Sequence, residues 1–378
     1  MRHLAADGDV CGHGGCGSVG VGCGGIVRAG LGCGDRRWAG LDCRGFQRVG
    51  VGWVGLRWGG LGRGGLGRGG LGRGGLGRGG SKRGGLQRGA GGKEEVGGVS
   101  ALRFGYGTNG FSNHRLDDAL AVIAGLGYDG VALTLDHHHL DPFDAGVARH
   151  VREVSHRLSQ LGLGVVIETG ARYLLDPWHK HAPTLIDDEP GPRLEFLRRA
   201  VRIGADLGAE AVSFWAGVPR DSLARDEAWR RLVGGCAEVL AAAEGAEMML
   251  GFEPEPGMLV ESMADWERLR ADLGAPVHFG LTLDIGHCRC LEPVPADECV
   301  RKAAGSLVNV QIDDMRRGVH EHLEFGQGEV DFPPVLRALA DIGYGGLIAV
   351  ELPRHSHAAP SVARDSLAFL REKAKEAL

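Results

Sequence analysis

From Leu102 onward, short apolar runs alternate with longer segments whose apolar residues recur every three or four positions. The first kind of segment fits a buried strand and the second an amphipathic helix, and their alternation predicts βα units around a parallel sheet. The strand candidates are "LRFGYGTNGF", "GVALTLD", "GVVIETG", "AEAVSFWAG", "MLGFEPEPG", "FGLTLDIGH", "LVNVQIDDM" and "GLIAVELPRH". Helix candidates between them include "RLDDALAVIAGLG", "DAGVARHVREVSHRLSQLG", "RLEFLRRAVRIGADLG" and "AWRRLVGGCAEVLAAAEGA", with Gly near their C-terminal ends where helices commonly stop. Eight such units in about 275 residues predict an α/β fold, the (β/α)8 TIM barrel. A doubly wound open sheet is the alternative. It would more often carry a Gly-rich phosphate fingerprint after its first strand, and "GYGTNG" is not one.

The first hundred residues break this pattern, so residues 1–100 are read as a separate low-complexity tail and 101–378 as the barrel. The tail holds 38 of the 67 glycines and 15 Lys and Arg against 6 Asp and Glu, a net charge of +9. The remainder holds 28 against 42, a net of −14, so the whole-chain value of −5 hides two opposite characters. Within the tail, "GLGRGGLGRGGLGRGGLGRGG" offers one Leu per five-residue unit, too few to build a core against the entropy of so many glycines. The tail is therefore expected to be disordered. Arg/Gly tracts can bind RNA through charge and stacking, but no aromatic interrupts these repeats, which favours an unstructured leader.

Cysteine usage adds little chemistry. Cys11, Cys16, Cys23, Cys33 and Cys43 lie in the tail without the paired C-x-x-C spacing of a zinc module. Cys236, Cys288, Cys290 and Cys299 are scattered through the remainder like reduced thiols. No apolar run reaches about 18 residues, and the N-terminus lacks a secretory signal core, so the expectation is a soluble cytoplasmic protein with no membrane contact.

In a barrel of this kind, chemistry collects at the C-terminal ends of the strands. Those ends supply Glu168 after the third run, Glu253 and Glu255 after the fifth, Asp284 and His287 after the sixth, Gln311 and Asp313 after the seventh, and Glu351 after the eighth. A carboxylate beyond an apolar run is costly to bury alone, and several converging in one mouth repel each other unless a divalent cation neutralises them. Glu253, Asp284, Gln311 and Glu351 form an all-oxygen set with three negative charges. Such a set suits Mg²⁺ or Mn²⁺ better than a soft-ligand zinc site, with Zn²⁺ and Co²⁺ as the other candidates. Each carboxylate alone could be a helix cap or ion-pair partner, but four polar ends on strands five to eight argue against coincidence.

The motifs "LGFEPEP", "LTLDIGH", "VNVQIDD", "HEHLEFGQGEVDF" and "GYGGLIAVELP" resemble the xylose isomerase-like TIM barrels, the sugar phosphate isomerase/epimerase superfamily. The resemblance runs from Leu102 to Leu378. Its most specific parts are the D-x-x-H of Asp284 to His287 and the H-x-x-x-G-x-G-x-x-D-F of His322 to Phe332. It implies one divalent metal held by Glu253, Asp284, Gln311 and Glu351. Many members have His at the third of these positions, and a Gln there resembles the hydroxypyruvate isomerases. The resemblance further implies that Glu253 and Glu351 are catalytic, exchanging a proton at the carbon beside a carbonyl through an enediolate, which serves isomerisation and epimerisation alike.

The expected substrate contacts are His287, His322, Glu168, His139 and Arg354, with His320, Trp178, His181 and His355 as further loop candidates. Arg354 could hold a phosphate or carboxylate, or pair with a loop acid. The expected partner is a small sugar, sugar phosphate or keto acid, and a homo-oligomer is compatible with the sequence. A dehydratase acting on an inosose-type polyol ketone shares the same first step. A trinuclear zinc endonuclease of the same superfamily fits less well, because it uses more histidine ligands and a net of −14 gives the barrel no footprint for nucleic acid. A barrel kept only for binding, with the tail as its interaction element, is the non-enzymatic alternative.

Overall fold

The computed structural model describes residues 102–378. The expectation of a disordered Gly/Arg-rich tail, together with its five cysteines, lies outside the described residues. Among those described, seven barrel strands come first: β1 (Arg103–Gly107), β2 (Gly130–Thr134), β3 (Gly164–Glu168), β4 (Val212–Phe214), β5 (Leu250–Phe252), β6 (Phe279–Asp284) and β7 (Leu307–Ile312). A short antiparallel hairpin, β8 (Asp314–Arg316) and β9 (Val319–Leu323), follows, and β10 (Leu347–Val350) is the eighth barrel strand. All eight predicted runs contain one barrel strand each.

The strands close in the order β1-β10-β7-β6-β5-β4-β3-β2 with parallel pairing throughout, which excludes the open-sheet alternative. Closure is made by the first and last strands, with Arg103 opposite Leu347 and Tyr106 opposite Val350. The helices covering the ring are α1 (Leu116–Leu126), α2 (Val147–Leu161), α3 (Gly191–Leu207), α4 (Arg225–Gly245), α5 (Met263–Asp272), α6 (Ile285–Leu291), α7 (Ala296–Ala303), α8 (Phe332–Asp341) and α9 (Ala359–Ala377). Their apolar stripes bury residues such as Leu120, Phe196, Leu232 and Leu336 against the outer face of the strands. Each such side chain contributes about 1.5–3 kcal/mol of burial free energy.

Two features of the sheet prepare the site. Phe214, Phe252 and Phe279, on adjacent strands, pack with ring centroids 5.1 and 5.7 Å apart for the successive pairs, which fixes β5 just before Glu253. Each aromatic pair adds about 0.5–1.5 kcal/mol beyond burial. The β6–β7 pairing also slips between Leu281 and Thr282, so that Thr282 pairs with Asn309 and Asp284 with Gln311. Such a shift re-aims the following side chains, and here it turns Asn309 and Gln311 toward the barrel axis together. The lower interior is an apolar plug of Val166, Ala211 and Leu347, and above it lie the fully buried Ser213, Thr282 and Asn309.

Cys236, Cys288, Cys290 and Cys299 are buried and free. No helix among the described residues is long and apolar enough to cross a membrane.

Candidate active site

The four residues expected to hold a metal come from neighbouring parts of the ring. Glu253 follows β5, and its backbone N–H continues the ladder to Phe214 at 2.9 Å. Asp284 ends β6 and caps α6, its Oδ1 accepting the His287 N–H at 2.8 Å. Gln311 lies between Asp284 and Ala349 in register, and Glu351 follows β10 with its N–H bonded to Ile312 O at 3.2 Å. Glu253, Asp284 and Gln311 are buried, and Glu351 is half-buried at the cavity wall.

Their oxygens are not satisfied by the protein. Asp284 Oδ2 and Gln311 Oε1 have no hydrogen-bond partner, although a buried orphan acceptor costs about 1–3 kcal/mol. Glu351 Oε1 has one donor, Asn109 Nδ2 at 3.0 Å. Burial first, and then the nearby Glu351 and Glu168, hold the Glu253 carboxyl well above the usual range. Burial and Glu351 do the same to Glu168, against an opposing hydrogen bond from Asn309 at 3.2 Å. Burial pushes Glu351 and Glu255 up to about 7, opposed by the neighbouring His322. Unpaired oxygens and mutually repelling carboxylates fit a divalent cation, and the donor types fit a hard one.

A second layer is built from histidines. Ring centroids of His287 and His320 are 4.9 Å apart, and those of His320 and His322 are 5.4 Å apart. His287 Nδ1 lies 3.1 Å from Pro254 O, a contact only a protonated Nδ1 can satisfy, which leaves the unpartnered Nε2 as the lone-pair nitrogen. His287 Nδ1 is also 3.6 Å from Glu253 Oε1. Burial lowers the pKa of His287, and burial with the neighbouring His287 and His322 lowers that of His320 to about 4. His322 Nδ1 is bonded to Asp313 Oδ2. One donor atom from each of His287, His320 and His322 falls within 4.8 Å of the others, as do those of Glu253, Asp284 and His287, and those of Asp284, Asp313 and His322.

The two motifs that carried the resemblance have local physical reasons. In D-I-G-H, a Cβ on Gly286 would stand 1.9 Å from Asp313 Oδ1, so glycine makes room for the carboxylate that orients His322. In the G-x-G that follows the hairpin, the Asp314 carboxylate accepts the N–H groups of Gly326, Gly328 and Val330 at 2.8, 2.9 and 3.0 Å. A Cβ on Gly328 would meet Asp314 Oδ1 at 2.3 Å. The stretch ending in His320 and His322 is thus a hairpin anchored by Asp314.

The structure brings most of the predicted residues together. A cavity of about 210 Å³ at the C-terminal ends of the strands is lined by Glu168, Glu253, His287, Gln311, His322, Glu351 and Arg354, with His181, His320 and Glu255. Asp284 sits behind this lining at 2% exposure. His139 does not line the cavity, and its Nε2 meets His114 O at 3.2 Å. Trp178 is 84% exposed, and His355 lies 3.6 Å from Glu324; neither lines the cavity. Arg354 lines it while pairing with Glu321 at 2.8 Å.

Sequence reasoning missed Asn109, Thr134, Arg172, Lys180 and Trp215, all in the lining, and Asn309 beneath it. Asn309 carried a signal, since it lies two positions before Gln311 in a strand and so shares its face. The others sit at or beyond strand ends, mostly in loops where no period marks which side chain turns inward.

The chain is thus a closed parallel TIM barrel with a carboxylate-rich, histidine-walled mouth. The family model for the xylose isomerase-like TIM barrel matches residues 120–373, and the chain belongs to that family. Among curated relatives, the L-ribulose-5-phosphate 3-epimerase UlaE of Shigella flexneri is 26% identical over 219 residues, which is 54% of this chain and 76% of that protein. Among solved structures, an L-ribulose 3-epimerase superposes with a TM-score of 0.59 at 22% identity, covering 73% of this chain and 96% of that one. The IOLI protein with a bound zinc atom also superposes at 0.59, with 16% identity over 73% of this chain and 99% of that one.

Proposed function

We propose that the barrel is a divalent-metal-dependent sugar isomerase of the epimerase type, acting on a ketose or its phosphate beside the carbonyl. The observation that carries this reading is the convergence of Glu253 and Glu351, from strands three places apart in the ring, on one cavity with orphan oxygens at Asp284 and Gln311. The epimerase relatives and the zinc-bound neighbour support it. Keto acids remain within the same chemistry. A cation held by Glu253, Asp284, Gln311 and Glu351, with Mg²⁺ or Mn²⁺ favoured by the oxygen donors, would supply Lewis-acid polarisation of the substrate carbonyl.

The chain's own residues do the rest. One glutamate takes the proton from the carbon beside the carbonyl, and the other, approaching from a different side of the ring, delivers a proton to the opposite face. That sequence inverts the centre. Asn109 holds the Glu351 carboxylate in place through its 3.0 Å hydrogen bond. His287, with its lone pair on Nε2, accepts from a substrate hydroxyl, and Asp313 fixes the orientation of the His322 ring in the same wall.

The test is metal analysis followed by deuterium exchange from solvent into a panel of ketoses and ketose phosphates. Glu253→Gln and Glu351→Gln should each keep the wild-type fold by circular dichroism and lose about 10²–10⁴-fold in exchange rate. Near-wild-type exchange by either variant would remove it from the proton-transfer pair.

A further inference from the structure

The catalytic cavity is not closed on all sides. Lys180, His181, Trp215, Glu255 and His320 line it and also line a second chamber of about 780 Å³. Pockets for ligands of ordinary drug size span about 300–1,000 Å³, so the 210 Å³ catalytic cavity suits one small sugar and the adjoining chamber has room for much more.

The chamber is built, not merely left between loops. Arg193, 3% exposed, donates to His181 O at 2.8 Å and Pro183 O at 3.0 Å, and its guanidinium lies 4.8 Å from the Trp215 ring centroid. It therefore fixes the β3–α3 loop against β4. His181 is held at φ 66°, a left-handed conformation that a non-glycine residue adopts at a cost of about 1–3 kcal/mol, and its ring lies 5.0 Å from Trp215. Arg220 joins the β4–α4 loop to Asp187 of the β3–α3 loop at 2.7 Å. Leu259 N–H bonds Gly217 O at 3.0 Å, tying the β5–α5 loop to the same wall. Three consecutive loops are thus locked around one space, with His181 and Trp215 at its partition from the catalytic cavity.

Its lining chooses between occupants. Trp215, Val218, Pro256 and Met258 give an apolar wall suited to the C–H face of a sugar ring. Its charged and polar groups already face carboxylates: Arg220 pairs with Asp187 at 2.7 Å, the His179 ring meets Asp176 at 2.8 Å, and Glu255 shares the lining with Lys180. Hydroxyls can share these donors and acceptors, whereas an anion would have to displace the carboxylates. A phosphate would also leave most of the chamber empty.

We infer that the chamber beyond His181 and Trp215 binds a neutral glycosyl ring attached to the substrate, so that the preferred substrate is a ketose carrying a second sugar. This rests on the epimerase reading and extends it. The glycosidic bond takes no part in the reaction; only the proton beside the ketose carbonyl exchanges with solvent.

The experiment measures deuterium entry at C3 of D-fructose, D-fructose 6-phosphate, lactulose, leucrose and isomaltulose, using the full-length chain loaded with Mn²⁺. The three disaccharides keep a fructose unit with a free C3 and carry the second ring on O4, O5 or O6. At least one should exceed D-fructose in kcat/KM by about tenfold or more. Val218 is 63% exposed and lies in the chamber wall only, so Val218→Trp should remove that advantage and leave D-fructose within about twofold of wild type. Exchange into D-fructose with no gain for any disaccharide would overturn the inference alone. So would a Val218→Trp loss shared equally by D-fructose, or D-fructose 6-phosphate outpacing all three disaccharides. Exchange into no sugar would overturn the epimerase reading with it.

Discussion

Gln311 brings a neutral amide oxygen, with no partner of its own, to the centre of a carboxylate cluster. An imidazole there would exchange a hard donor for a softer nitrogen, and imidazole sites favour zinc over magnesium and manganese. Gln311→His should therefore raise the affinity for Zn²⁺ relative to Mn²⁺ by about tenfold or more in competition titrations. An unchanged ratio would mean that Gln311 does not touch the ion. Glu253, Asp284, Gln311 and Glu351 were legible in the sequence because each stands at or beside the abrupt end of an apolar run, where a polar side chain has no packing reason to be. His139 shows the opposite case. "DHHHLDP" offers three successive histidines in a loop, and nothing in their spacing says which of them turns toward His114 and which toward solvent.

Asp284, α6 and the β8–β9 hairpin form a tighter unit than the sequence suggested. Alanine normally suits a helix better than glycine by about 1 kcal/mol, so a Gly286→Ala variant judged by α6 alone would be stabilised. The close approach of Asp313 reverses the sign. With a Cβ 1.9 Å from Asp313 Oδ1, we expect Gly286→Ala to lose about 1–3 kcal/mol in denaturant melts and to weaken metal binding. A stabilised variant would show that Asp313 moves aside freely. The hairpin is hard to read from the sequence, because Val319–Leu323 runs from an exposed residue through four half-buried ones and shows no apolar alternation. The pairing of Arg316 with Val319 across Arg317 and Gly318 is a two-residue turn, and that Gly was the local sign of it.

Across the whole molecule, the raised carboxylates make the metal-free fold sensitive to pH. Glu351 and Glu255 titrate near 7 in the folded chain against 4.5 as ordinary side chains, so the folded state holds protons that the unfolded state has released. Stability then falls as pH rises through that window, and the melting temperature of metal-free protein should be lower at pH 8 than at pH 6. The proposed cation would take the place of the proton on Glu351, so loading should shrink the difference and release protons in calorimetry compared across buffers. A melting temperature independent of pH in the metal-free protein would contradict the burial of these charges. The barrel as a whole was legible because a parallel sheet, buried on both faces, writes each strand as a short apolar run and each crossover as a helical period. The chambers were not, since loop walls are set by contacts such as Arg193 with His181 that join residues of different local texture.

The ring is closed by hydrogen bonding between its first and last strands, and Glu351 rides on the last. During synthesis, Glu253, Asp284 and Gln311 all emerge before the residue that completes their set. A nascent barrel therefore lacks one of the two glutamates proposed to exchange the proton until its last strand is made. Turnover becomes a late reporter of folding, appearing only once β10 has docked between β1 and β7.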